Sequence, residues 1–272
     1  MIFILLSILC SVIIANMLLL FARGKKVDIL LIFLGNYLLA TVFSYIQIPA
    51  GSLSIGPFEI LFGFLTGFLF LYNFFVYQKN IDLNGMSISV GVMRVAVIIP
   101  TFISVLFFAD RINSFNLLGL LVIVAAFWSI TERNSIRQFV WLIILFIVSG
   151  LTDSTLKIYA ELGRSNQTPF VFILFLSAFI CTLFWVWKAK RPFSWQYILY
   201  GMALGIPNQL STRFFLKGLE KVPATLAYPL TASSIVLLSI ICDLLFWRRI
   251  FSFKERLALI LLLFGIVLIN IR

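Results

Sequence analysis

The sequence predicts an all-α membrane protein of ten transmembrane helices, arranged as two inverted five-helix repeats. Three observations carry that expectation. Hydrophobic residues make up 62% of the 272-residue chain and charged residues 11%, against about 45–50% and about 25% in soluble domains. Apolar runs long enough to cross a bilayer follow one another with only short gaps between them. The two halves of the chain also match each other at a common offset.

A crossing helix needs about 20 mostly apolar residues at a rise of about 1.5 Å each. Runs of that kind occupy 2–22, 28–48, 57–77, 85–108 and 112–130 in the first half, and 139–160, 168–187, 195–218, 222–247 and 253–271 in the second. Turn-forming residues punctuate them: Ala22-Arg-Gly-Lys-Lys26, Pro49-Ala-Gly-Ser52 and Lys188-Ala-Lys-Arg-Pro192. The gaps are too short to hold a separate soluble domain. The first run lacks a basic leader and a small-residue cleavage site, so it reads as a retained helix rather than a secretory signal.

Orientation follows the basic residues. Gaps after odd-numbered runs hold Arg23, Lys25, Lys26, Lys79, Arg133, Arg137, Lys188, Lys190, Arg191, Arg248, Arg249, Lys254 and Arg256. Gaps after even-numbered runs hold Arg111, Arg164 and Lys221, with Lys217 at a helix end. The excess of positive charge belongs on the cytoplasmic side, which places both termini outside. The net charge of +11 is therefore a membrane-surface property, and nucleic acid is not an expected partner.

Several chemistries are excluded by composition. The chain has no histidine, hence no imidazole base or His metal ligand. Cys10, Cys181 and Cys242 lie far apart in apolar runs, so no CxxC pair exists. No GxxxxGK[ST] loop occurs, which argues against a built-in nucleotide motor. No catalytic group, cofactor or metal is expected.

The internal matches fall at an offset of roughly 138–140 residues. Phe108-Ala-Asp-Arg-Ile-Asn-Ser-Phe115 faces Phe246-Trp-Arg-Arg-Ile-Phe-Ser-Phe253, Phe74-Phe75 faces Phe214-Phe215, and Ser11 and Ala22 face Ser149 and Ala160. Repeats of 1–134 and 135–272 follow. Five helices per repeat is an odd number, so the second copy enters the membrane inverted, an architecture common among secondary transporters.

Two segments carry a resemblance to a known family. They are Ser87-Ile-Ser-Val-Gly-Val-Met-Arg-Val-Ala-Val-Ile-Ile-Pro100 through Asn113, and Ala227-Tyr-Pro-Leu-Thr-Ala-Ser-Ser234 through Ser252, closed by helices containing Gly119 and Gly265. With a five-plus-five helix plan, the chain resembles the EamA-like branch of the drug/metabolite transporter superfamily. The acidic residue of that family's turn is Asp110 in the first half, whereas the second half has Arg248-Arg249. Members commonly keep both termini in the cytoplasm, the opposite of the charge-based orientation. The resemblance implies a multi-pass carrier in a cell membrane, inner or plasma, moving a small molecule.

Ionisable residues at membrane depth are costly, about 2.5–3.5 kcal/mol at a helix centre, and call for a reason. Arg94 lies mid-run and suits a carboxylate or phosphate. Asp153 and Lys157 are four apart and can pair on one helix face. Pro207-Asn208-Gln209, followed by Arg213, predicts a helix broken at proline and lining a cavity. Asn73 is the repeat counterpart of Arg213, and Tyr228 could stack on a ring. Glu59 and Asp243 lie near helix ends, where adjustment toward the interface is the simpler reading. Trp141, Trp187, Trp195 and Trp247 read as interfacial anchors.

The expected function is a secondary carrier working by alternating access. Arg94 and Arg213 would repel each other in a low-dielectric cavity, so an anionic or zwitterionic metabolite is expected. A proton or sodium ion is the expected coupling ion, and monomer and homodimer are both compatible with the sequence. The competing readings are a membrane scaffold or accessory subunit in envelope assembly, a flippase for lipid-linked substrates, and a lipid-directed enzyme. The enzyme is disfavoured by the missing histidine and missing acidic metal motif.

Overall fold

The computed structural model describes residues 1–24, 27–48, 55–96, 98–108, 136–162, 168–219, 222 and 224–269, with short pieces between 114 and 126. Its helices are α1 (Ile2–Arg23), α2 (Ile29–Ile46), α3 (Pro57–Asn84), α4 (Met86–Val95), α5 (Ile98–Phe108), α6 (Ile136–Leu162), α7 (Thr168–Lys188), α8 (Trp195–Leu219), α9 (Ala224–Leu245) and α10 (Phe253–Ile269). Every predicted run except 112–130 is represented. That run has only helical pieces among the described residues, and Asp110, Arg111, Asn113, Arg133, Arg164 and Lys221 lie outside them. Helices are what hydrocarbon permits, because each backbone N–H and C=O then finds its partner within the segment.

Two boundaries moved for physical reasons. Helix α3 continues well past the predicted end at Tyr77, because its polar extension has partners. Asn80 is fully buried, and its Nδ2 donates to the carbonyls of Val76 (2.9 Å) and Trp141 (2.9 Å), while Asn84 Nδ2 donates to Asn80 Oδ1 (3.1 Å). The predicted run 85–108 is divided between α4 and α5. Pro100 is the third residue of α5, in the first turn, where a missing N–H leaves no intrahelical bond unmade.

The expected break at Pro207 is corrected: α8 runs unbroken from Trp195 to Leu219 with Pro207 inside it. Neighbouring contacts hold the segment helical on both sides of the proline. Gly201 and Gly205 lie against the α2 backbone, and Asn208 and Gln209 are both hydrogen-bonded.

The helices form two compact units. One comprises Gly24–Phe75 and Thr152–Leu210, and its organising contacts are glycines. A Cβ on Gly201 would lie 2.8 Å from the Ile32 carbonyl carbon and 2.9 Å from Asn36 N, and one on Gly35 would lie 2.9 Å from the Ile198 carbonyl carbon. On α3, a Cβ on Gly67 would lie 3.0 Å from Ala178 N, and one on Gly63 would be 3.4 Å from Leu174 N. Gly63 and Gly67, like Gly201 and Gly205, are spaced as G-x-x-x-G, which lets helix backbones approach closely where lipid offers no hydrophobic drive for association. Tyr37 is fully buried between the rings of Phe74 and Phe175, and Asp28 caps α2 by accepting from Leu30 N at 3.1 Å.

The other unit comprises Met1–Arg23, Val76–Leu151 and Ser211–Arg272. Here α4 packs against α9, α10 and α1, and α9 also packs against α1 and α10. Gly91 gives α10 room, since a Cβ there would lie 2.8 Å from Leu262 Cδ1. Ser211 ties α8 to α1: its carbonyl accepts from Ser7 Oγ at 3.0 Å, and its hydroxyl is 2.8 Å from Ser11 Oγ.

Candidate functional site

The predicted site residues divide between the two units. Asn73, Asp153, Lys157, Asn208 and Gln209 belong to the unit containing α2 and α7, and Arg94, Arg213 and Tyr228 to the unit containing α1 and α4. Asn208 and Gln209 are buried, at 3% and 1% exposure. Asn208 Nδ2 donates to Asn36 Oδ1 at 3.1 Å, and Gln209 Nε2 donates to Gln47 Oε1 at 2.8 Å. Asn73, Asp153 and Lys157 are half-buried on α3 and α6, as are Arg94 on α4 and Arg213 on α8. The side chain of Tyr228 lies outside the described residues, although its backbone is part of α9.

Glu59 and Asp243 are both buried and hydrogen-bonded. Glu59 is 5% exposed, and its Oε2 accepts from Gly56 N at 2.9 Å, closing the first turn of α3. Asp243 is fully buried. Its Oδ2 accepts two hydrogen bonds from Ser87, from the backbone N at 3.0 Å and from Oγ at 2.6 Å. Position 87 is the second residue of α4, after the N-cap Gly85, so a carboxylate from α9 supplies the cap that α4 lacks in its own sequence. Negative charge there also complements the helix dipole.

Around this cap the C-terminal ends of α1, α3 and α9 line a cavity of about 340 Å³. Its walls include Leu19, Arg23, Asp82, Asn84, Gly85, Asp243 and Arg249. The second carboxylate oxygen of Asp243, Oδ1, is buried, and none of the described residues donates a hydrogen bond to it. Two cations flank the cavity and each is held in place. The Arg23 guanidinium lies 4.5 Å from the Trp247 ring centre, a cation–π arrangement. Arg249 Nη2 donates to the Asn84 carbonyl (2.9 Å) and to Glu255 Oε1 (2.6 Å).

A turn built from the Arg248-Arg249 pair puts Arg249 there. Arg248 takes φ 49°, and Arg249 N then donates back to the Asp243 carbonyl at 2.9 Å. Gly85, at φ 84° and ψ 168°, occupies backbone space nearly restricted to glycine, and a Cβ there would fall on the Arg249 guanidinium. Tyr77 on α3 lies within electrostatic range of both Arg94 and Asp243.

Trp187 and Trp195 are 74% and 68% exposed. Trp247 is instead bound into its unit, with its Nε1 donating to Asn16 Oδ1 at 2.7 Å.

The pairing of Asp243 with Ser87 joins positions 156 residues apart, and nothing local to either residue names the other. One signal was available: no basic residue stands three or four positions from Asp243, so a buried charge there needed its partner from another element.

Fold and site together define an all-α, multi-pass membrane protein. Among the described residues, five helices are long and apolar enough to cross a bilayer by length and composition. The sequence model of the EamA-like transporter family matches residues 138–271. A solved structure recorded as "Crystal structure of protein" aligns over 98% of this chain and 95% of its own, with a TM-score of 0.69 at 14% identity. That likeness establishes a shared fold. No curated protein matches significantly in sequence.

Proposed function

We propose that the protein is a secondary carrier for a small anionic or zwitterionic metabolite, working by alternating access between inverted repeats 1–134 and 135–272 in the inner or plasma membrane. The observation that carries this reading is the EamA-like match over 138–271. The buried polar groups add to it. Asn208 and Gln209 hold hydrogen bonds deep in a helix bundle, an arrangement that hydrocarbon makes costly and that transport pathways use. Arg94 and Arg213 supply positive charge suited to a carboxylate or phosphate. Asn73, Asp153, Lys157 and Tyr228 complete the proposed substrate contacts, with a proton or sodium ion as the coupling ion and a monomer or homodimer as the working assembly.

The test is uptake into proteoliposomes from a panel of radiolabelled carboxylates, phosphates, amino acids and organic cations. Saturable uptake of an anionic or zwitterionic solute, lowered at least tenfold by Arg94→Gln, is the expected result. A folded protein that moves none of the panel refutes the carrier reading.

A further inference from the structure

We infer that the cavity at the ends of α1, α3 and α9 binds a phosphoethanolamine-type group, a phosphate with an amine a few bonds away. Arg23 holds the phosphate and Asp82 the amine. The site is separate from the substrate contacts proposed above and does not rest on the carrier reading.

Four charged residues line this cavity, and two of them are already committed. Asp243 accepts both hydrogen bonds from Ser87. Arg249 donates to the Asn84 carbonyl and is bridged to Glu255 at 2.6 Å. Arg23 and Asp82 remain, and both are exposed. The cavity therefore offers a ligand one positive and one negative group.

Arg23 is held in place without being consumed. Its guanidinium lies 4.5 Å from the Trp247 ring centre, and that indole is itself fixed by donating to Asn16 Oδ1 at 2.7 Å. A cation–π contact acts on the charge of the guanidinium rather than on its N–H donors. Among the described residues none accepts a hydrogen bond from those donors. A planar fork kept at a fixed position suits two oxygens of one phosphate.

Asp82 lies in the last turn of α3, and its partner is Lys79 at 3.8 Å, three residues earlier, with both side chains partly exposed. Such a pair is worth about 0–1 kcal/mol, so an incoming amine can take the place of Lys79. The C-terminal ends of α1, α3 and α9 add partial negative charge nearby. That field disfavours a bare anion and favours a ligand that carries an amine beside its phosphate.

The location supplies such a group. Arg23 ends α1, a 22-residue helix long and apolar enough to cross a bilayer, which puts the cavity at the depth of lipid headgroups. Phe246 and Ile250, which flank Trp247 and Arg249 in the chain, are 75% and 93% exposed. Apolar surface for an acyl chain thus adjoins the charged wall. A volume of about 340 Å³ falls within the range of small-molecule sites, about 300–1,000 Å³. Phosphatidylethanolamine and a soluble phosphoethanolamine ester present the same chemistry to it.

The test is native mass spectrometry of the detergent-purified protein, titrated with phosphatidylethanolamine, phosphatidylcholine and phosphatidylglycerol of identical acyl chains, and with glycerophosphoethanolamine. Choline has no N–H to donate, and the glycerol headgroup has no amine. The first phosphatidylethanolamine should bind about fivefold more tightly than either other lipid, the equivalent of one hydrogen bond to a charged group. Arg23→Gln and Asp82→Asn should each bring that preference to within about twofold, while Lys254→Gln, an exposed lysine of α10, should leave it intact. Asp82→Lys should transfer the preference to phosphatidylglycerol. Equal binding of the three lipids, a wild-type preference for phosphatidylglycerol, or a preference that survives both neutral substitutions overturns the assignment. Should Arg23→Gln fail to fold, the two Asp82 variants decide. Binding of the diacyl lipid alone makes this a lipid site, and binding of glycerophosphoethanolamine with the same dependence on Arg23 and Asp82 makes it a site for the soluble ester. Binding of neither overturns the inference.

Discussion

Substituting Gly201 by alanine forces a methyl group into backbone. The new Cβ would lie 2.8 Å from the Ile32 carbonyl carbon and 2.9 Å from Asn36 N, and neither atom can rotate away as a side chain would. The Ile32 carbonyl oxygen is nearer still, so restoring even the shortest comfortable separation, about 3.5 Å, requires α2 and α8 to part by roughly 1 Å or more. The Asn208 to Asn36 hydrogen bond, at 3.1 Å, then stretches beyond hydrogen-bonding distance. Overpacking of this kind costs about 1–3 kcal/mol, and the lost hydrogen bond about 0.6–1.5 kcal/mol. Alanine returns about 0.8–1 kcal/mol through its better helix propensity. The net expectation is a loss of roughly 1–3 kcal/mol, measurable by SDS-titration unfolding in mixed micelles.

Two comparisons sharpen the Gly201 expectation. At Gly205 the obstructing atom is again backbone, Asn36 O at 2.6 Å, so Gly205→Ala should also destabilise. At Gly218 a Cβ meets first the Ile4 side chain, at Cδ1 and at Cγ1 (2.9 Å), with Ile4 N at an ordinary 3.6 Å, so Gly218→Ala should cost less than Gly201→Ala. In the double variant Gly201→Ala/Asn208→Ala the two losses should sum to less than their separate values, because the first already removes the bond that the second deletes. If Gly201→Ala unfolds with wild-type stability, or Gly218→Ala is the more damaging, the argument from backbone approach is wrong.

Three further outcomes are expected. A cysteine placed at Lys190, in a background lacking Cys10, Cys181 and Cys242, should resist an impermeant external thiol reagent in intact cells, and modification from outside reverses the orientation drawn from the basic residues. Carboxylates or phosphates should compete for the substrate site where organic cations do not, with Arg94→Gln abolishing the difference; competition by cations alone rules out an anionic substrate. Gly85→Ala should destabilise by about 1–3 kcal/mol from backbone strain and displace Arg249 from Asn84, and wild-type unfolding in the same SDS titration would refute the role given to this glycine.

Much of the architecture was legible in the sequence, because the bilayer imposes a length and an apolar composition that can be read residue by residue. The apolar runs correspond to helices wherever the chain is described, with Asp28, Pro57, Thr168 and Trp195 at or beside their starts. The polar residues were legible as residues but not as arrangements. Pro100 and Pro207 look equivalent in their runs, yet Pro100 lies in the first turn of α5 and Pro207 inside an unbroken α8. The difference lies in neighbours distant in sequence, Asn36 and Gln47, which hold Asn208 and Gln209 in the helix.

What the sequence determined by itself was membrane residence, the helix-forming runs, the excess of basic residues in alternate gaps, the absence of histidine chemistry and the resemblance to EamA-like transporters. Each follows from composition or from local spacing, which need no knowledge of what lies across the bundle. Tertiary structure decided the partners. Ser87 meets Asp243 across 156 positions, Trp247 meets Asn16 across 231, and Ser7 meets Ser211 across 204. Near a helix end, a carboxylate can either reach water or cap another helix, and both options fit the same residues in the same run. Only the packing of α4 against α9, which brings an uncapped N-terminus to Asp243, selects the second.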